Sequence, residues 1–121
     1  MLRPLTAAEA YLKEADELLE KGKVEEASEK YYEAAVEAIK VLAIKHKVRA
    51  VEEAKAKGDW DLETIYRAVS ELSRIYGERV VLDWSASVGL VTADLSGDIV
   101  KDIAKYVRDL VGLSSADKGL D

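Results

Sequence analysis

The sequence contains no cysteine. Disulfides, thiol catalysis and thiolate metal sites are therefore excluded. Asparagine and glutamine are absent too, and methionine, proline and histidine occur once each. One histidine cannot supply paired histidine ligands. There is no Gly-rich phosphate loop and no arrangement of the Ser-His-Asp type. No apolar run is long enough to span a bilayer. The opening segment MLRPLTAAEAYL lacks the continuous apolar stretch of a signal peptide. The expectation is a cytoplasmic protein with no membrane partner. What the sequence does hold in quantity is charge, with 24 acidic residues against 18 basic ones, a net −6. That balance opposes generic binding to nucleic-acid phosphates or anionic lipid and leaves only a local basic patch for such a role. Few thermolabile residues and many ion-pair formers follow the compositional trend of hyperthermophile proteins.

A chain of 121 residues is one domain with a single core. Its organising stretch is Val24 to Lys45, VEEASEKYYEAAVEAIKVLAIK, which has neither Gly nor Pro. Val24, Ala27, Tyr31, Ala34, Ala38 and Val41 recur at steps of three and four, one stripe of an α-helix. Tyr32, Ala35, Ile39 and Leu42 widen it to a core-facing arc. Before it, Thr6 and Glu9 read as a capping box opening a first helix, and Gly22 as the left-handed stop that ends it. The link to Val24 is so short that the two helices must form an antiparallel hairpin.

A helix running unbroken from Val24 to Lys57 would be about 50 Å long at about 1.5 Å per residue. A break near Lys45 to Lys47 is therefore expected, followed by a short helical piece. Gly58 marks the next turn, and Asp59 or Asp61 caps a further helix through Leu62, Ile65, Val69, Leu72 and Tyr76. The next helix shows Val81, Trp84, Val88, Val91 and Leu95. Its interior Gly89, which costs about 1 kcal/mol against Ala, reads as a point of close contact with another helix. Ser96-Gly97-Asp98 reads as a tight turn. The last helix shows Ile99, Ile103, Tyr106 and Leu110, and fraying is expected from Gly112. The reading is all-α: an up-and-down bundle of four main helices plus a short extra one over residues 1–113, with 114–121 a flexible tail.

Several residues are candidates for chemistry. His46 sits in a basic cluster with Lys45, Lys47 and Arg49. Arg67, Arg74 and Arg79 line a later helix and its exit. Together His46, Lys47, Arg49, Arg67, Arg74 and Arg79 are the candidate phosphate or nucleic-acid contacts, and ordinary surface charge is the competing reading. Glu25, Glu29, Glu33 and Glu37 form an acidic stripe at four-residue spacing, where like charges repel mildly. A neighbouring lysine, a partner or a metal could compensate them, although no Glu-x-x-His element is present to build a bundle metal site. Trp84, Val88, Gly89 and Val91 are candidates for a dimer interface. No catalytic, cofactor-binding or metal-ligating residue is assigned.

The first hairpin, with Gly22, Val24, Ala27, Tyr31 and Ala34, resembles a single tetratricopeptide unit. No second copy follows, and one unit does not make a solenoid. A wider resemblance rests on this hairpin, the KGDW turn and the LETIYRAVSELSRIYGE and DWSASVGLVTADL segments. These resemble the PaREP family of small archaeal helical proteins, which are similar to HEPN domains. The resemblance implies an up-and-down bundle, often dimeric, from a thermophilic source. HEPN relatives are either RNases, with an Arg and His four to six residues apart on a late helix, or non-catalytic partners of nucleotidyltransferases. Where similar sequences place the His, this chain has Val91. The function expected is thus a non-catalytic interaction module forming a homodimer, with a nucleotidyltransferase as a possible partner. The alternatives are a divergent RNase or nucleotide-binding protein using the His46 cluster, and a peptide adaptor built on an open first hairpin.

Overall fold

A computed structural model of the chain describes residues 4–116. Six helices follow one another: α1 (Ala7–Glu20), α2 (Val24–Lys45), α3 (Arg49–Lys57), α4 (Leu62–Tyr76), α5 (Glu78–Thr92) and α6 (Gly97–Ser115). No strand occurs among the described residues. The all-α expectation holds, but five long helices accompany the short α3, where four were expected. α2 packs against all five others and is the axis of the bundle. Tyr31, Ala34, Ala35, Ala38, Ile39, Leu42 and Ala43 are buried along it.

Local chemistry accounts for most of the boundaries. The capping box forms: the Glu9 amide donates to Thr6 Oγ1 at 3.1 Å, and the Thr6 amide donates to Glu9 Oε1 at 2.9 Å. Asp61 caps α4 by accepting from the Thr64 amide at 2.9 Å. Ser96 caps α6 rather than closing a turn, so the helix begins at Gly97. α1, α2 and α3 share one kind of ending, in which the amide just after a left-handed residue reaches back to a carbonyl five residues earlier. Gly22 and Gly58 hold the left-handed position in α1 and α3, and Lys47 holds it in α2 with φ 53°. The break expected at Lys45 to Lys47 is there, made without a glycine. α3 is then tied to α4, because Glu71 accepts from the Ala50 amide at 2.9 Å.

Two expectations are corrected. α6 does not fray at Gly112; it continues to Ser115, with Ser114 buried, so the chain is still packed where the flexible tail was expected to begin. The rest of that tail, residues 117–121, lies outside the described residues. The buried stripe of α5 is Val80, Asp83, Trp84, Ser87 and Leu90, while Val81 and Val91 are exposed. The helix is rotated from the position its valines imply, because two polar residues occupy the core side.

Candidate functional site

Of the six candidate phosphate contacts, Arg67 and Arg79 are taken up by carboxylates of other helices. His46 is half-buried, and its Nε2 shares a hydrogen bond with the Tyr76 hydroxyl at 2.7 Å, the rings meeting edge to face. This ties the end of α2 to the end of α4. Lys47 and Arg49 are exposed on either side of the joint between α2 and α3. Arg67 is in an ion pair with Glu53 of α3, and Arg79 forks onto Asp109 of α6. Arg74 is exposed on α4. Arg67 and Arg79 are thus turned to different neighbours, one tying α4 to α3 and the other α5 to α6.

Two charged clusters sit where helices meet, and neither was foreseen. In the first, Arg108 of α6 donates two hydrogen bonds to Asp16 of α1, at 2.9 and 3.1 Å, and the buried Tyr31 hydroxyl donates to the same carboxylate. Burial acts to raise the Asp16 carboxyl, but the bonds from Arg108 and Tyr31 outweigh it and hold the group below its ordinary value. Burial first, then the hydrogen bond to Asp16 and that group's charge, push the Tyr31 phenol well above its ordinary range.

In the second, Asp83 of α5 lies beside Asp109 of α6. Asp83 is only 5 % exposed, and its Oδ2 has no hydrogen-bond partner. Burial first, and the neighbouring Asp109 second, push the Asp83 carboxyl up to about 8, against the pull of Arg79. Asp109 moves the other way, lowered by its hydrogen bonds from Arg79 and from Asp83. The pair therefore holds one proton near neutral pH, with Asp83 the donor. The readable signal for this cluster was an aspartate in register with Val80, Ser87 and Leu90, at core spacing.

The candidate dimer residues divide. Trp84 is 2 % exposed and meets Tyr32 at a tilt and Tyr66 edge to face inside the chain, with ring centroids 5.7 and 6.2 Å away. It is a core residue and leaves almost no surface for a partner. Val88 and Gly89 are partly exposed, and Val91 is exposed. A Cβ added at Gly89 would meet nothing within 4 Å, so no helix of this chain approaches it closely, contrary to expectation.

What remains on the outside of α5 is a surface without charge. From Trp84 to Ala93 the sequence WSASVGLVTA has no ionisable side chain, in a chain where 35 % of residues are charged. Leu82 is 60 % exposed at its start. On one flank stands the exposed Tyr66 of α4, in ring contact with Trp84. On the other flank the Arg79–Asp109 ion pair sets the register of the antiparallel α5–α6 hairpin. Tyr106 of α6, three residues before Asp109, is exposed as Leu82 is.

The inner face of the first hairpin is covered, since α2 packs against α5 and α6. It offers no open groove of the tetratricopeptide kind. Among the described residues no helix is long and apolar enough to cross a membrane.

This six-helix arrangement is a known one. A crystal structure of a Sulfolobus solfataricus protein is similar at 34 % sequence identity and a TM-score of 0.87, covering 92 % of this chain and 95 % of that one. A solution structure of the same structural-genomics target, the Orf c02003 protein, gives 34 % identity and a TM-score of 0.80, covering 94 % of each chain. No curated protein matches the chain. The model of the Archaeal PaREP1/PaREP8 family matches residues 3–111, and the chain belongs to that family.

Proposed function

We propose that this chain is a non-catalytic helical interaction module that pairs with a second copy of itself through the exposed face of α5. The observation that carries the reading is the charge-free surface from Leu82 to Thr92, edged by Tyr66 and Tyr106. A two-fold contact sets each surface against its own copy, so a charge close to the axis meets a like charge. In a chain of net charge −6 a face without charge avoids that repulsion. Exposed tyrosines at its edges suit an interface. Gly89 gives the reading further support. Glycine inside a helix costs about 1 kcal/mol against Ala, and nothing within this chain needs it there; the close approach of a partner helix would.

The reading accords with the resemblance to HEPN-type accessory proteins of the cytoplasm, for which a nucleotidyltransferase would be the heterologous partner. His46 supports the non-catalytic side of it, being held against Tyr76 with no arginine at the RNase spacing. The test is light scattering after size exclusion, run over a range of concentrations. The wild type is expected at twice the 13.3 kDa chain mass. Ser85→Arg, which puts a charge on the exposed face, is expected at chain mass with unchanged helical circular dichroism. A wild type that stays monomeric at high concentration would falsify self-pairing.

A further inference from the structure

Five arginines lie among the described residues, and three of them are in ion pairs: Arg67 with Glu53, Arg79 with Asp109 and Arg108 with Asp16. The other two, Arg49 and Arg74, are exposed and make no ion pair there. Both stand at one end of the bundle. The Ala50 amide, next to Arg49, is bonded to Glu71 of α4, and Arg74 follows Glu71 by one turn of that helix. The hydrogen bond between His46 and Tyr76 brings Lys47 to the same end. Lys47 is exposed and also makes no ion pair among the described residues. The carboxylate that reaches this joint, Glu71, is engaged by the Ala50 amide.

The joint itself departs from local preference at three successive residues. Lys47 has φ 53°, a left-handed position that α1 and α3 fill with Gly22 and Gly58. A residue with a Cβ is strained there and glycine is not. Val48 is the N-cap of α3 and gives it no side-chain hydrogen bond, where Ser, Thr, Asp or Asn is favoured. Arg49 comes next, at the first helical position, where the helix dipole disfavours a cation. Its amide makes no hydrogen bond among the described residues. Arg74, in the last turn of α4, suits the negative end of its own helix. Lys47 and Arg49 have no such local reason, and local rules are broken chiefly where function requires it.

The ligand chemistry follows from the donors. Two guanidinium forks, an ammonium and a free backbone amide suit an anion with many acceptor oxygens and more than one charge. A guanidinium engages phosphate oxygens two at a time, and lysine adds a point charge. The cations come from both sides of the tie between α3 and α4, which linked phosphates span better than a single one. We propose that this end of the bundle binds a linear phosphate chain, inorganic or carried by a nucleotide, through Lys47, Arg49 and Arg74. His46 stays a tie between helices and touches no ligand. The proposal does not depend on self-pairing through α5.

Isothermal titration calorimetry at physiological salt, with inorganic tripolyphosphate in one arm and ATP in the other, tests it. The wild type is expected to bind at one site per chain. Tighter binding of ATP makes the nucleotide the source of the phosphates; equal or weaker binding makes it the inorganic chain. Arg49→Gln combined with Arg74→Gln is expected to weaken binding at least about tenfold, the size of lost charged hydrogen bonds. Lys47→Gly is expected to weaken it about fivefold while its melting temperature rises, so misfolding cannot be the cause. Lys21→Gln combined with Lys101→Gln makes the same charge change as the arginine pair, at exposed residues of the opposite end, and is expected to leave affinity unchanged. No binding in either arm, equal weakening by the two double variants, or wild-type affinity in Lys47→Gly would overturn the proposal.

Discussion

α2 and α5 are both rich in apolar residues, and the bundle treats them in opposite ways. α2 puts its alanines and large aliphatics against five neighbours and turns its glutamates outward. α5 buries Asp83 and Ser87 and leaves Val81, Leu82 and Val91 outside. In α2 the hydrophobic pattern and the burial pattern agree over most of its length, with Val41 and Ile44 near its end the exposed exceptions. In α5 they disagree. A surplus of apolar surface outside and a carboxyl inside are features the monomer does not require for its own packing.

The contrast predicts unequal costs. Leu42→Ala in α2 is expected to destabilise the protein by about 2–5 kcal/mol in denaturant unfolding, because the site is fully buried and cannot collapse. Leu82→Ala in α5, measured at concentrations low enough to keep chains apart, is expected to change stability by less than about 0.5 kcal/mol. Equal costs would erase the distinction between the two helices.

The next effect concerns the carboxyl that α5 buries. Asp83 titrates at about 8 in the fold against 3.8 ordinarily, so folding takes up a proton between those values. Its contribution to stability is complete below the lower value and disappears as pH rises through the upper one. Asp83→Asn keeps a donor toward Asp109 and cannot ionise. Thermal unfolding is expected to show it several degrees more stable than wild type near pH 9 and close to wild type near pH 5. A wild-type melting temperature that does not fall across this interval would contradict the proton-sharing pair.

Gly89→Ala sharpens the comparison further. Within one chain the added methyl has open space, so the variant is expected to gain about 1 kcal/mol in dilute solution, while self-pairing weakens if a second helix lies there. The smallest effect belongs to the end of α2. Lys47→Gly is expected to stabilise by up to about 1 kcal/mol by relieving a left-handed backbone position, offset in part by the freer unfolded chain.

The hairpin of α1 and α2 was legible because every device in it is local: a capping box, a glycine stop, and alanines at three-four spacing. The break after Lys45 was legible from length alone, although the residue that makes it, Lys47, is not one the pattern favours. The orientation of α5 was not legible. Its valines form a convincing stripe, and Asp83 and Ser87 at core register look like errors until Asp109 and the Asp83 carbonyl are seen to receive them. Trp84 was read as an interface anchor because a large aromatic on a stripe suits an interface as well as a core. The basic cluster looked like one six-residue site because His46, Arg67 and Arg79 carry no sign in the sequence of the partners Tyr76, Glu53 and Asp109, which come from other helices.

The clasp between Arg108 and Asp16 joins residues 92 positions apart. α6 also brings Val100, Ala104, Val107 and Leu110 to the wall of the core facing α2 and α5. During synthesis the first five helices emerge before that wall exists. A nascent chain that has not yet released α6 therefore carries an open apolar seam along α2, with Asp16 and Tyr31 still waiting for their cation. The bundle can close only when its last helix has left the ribosome.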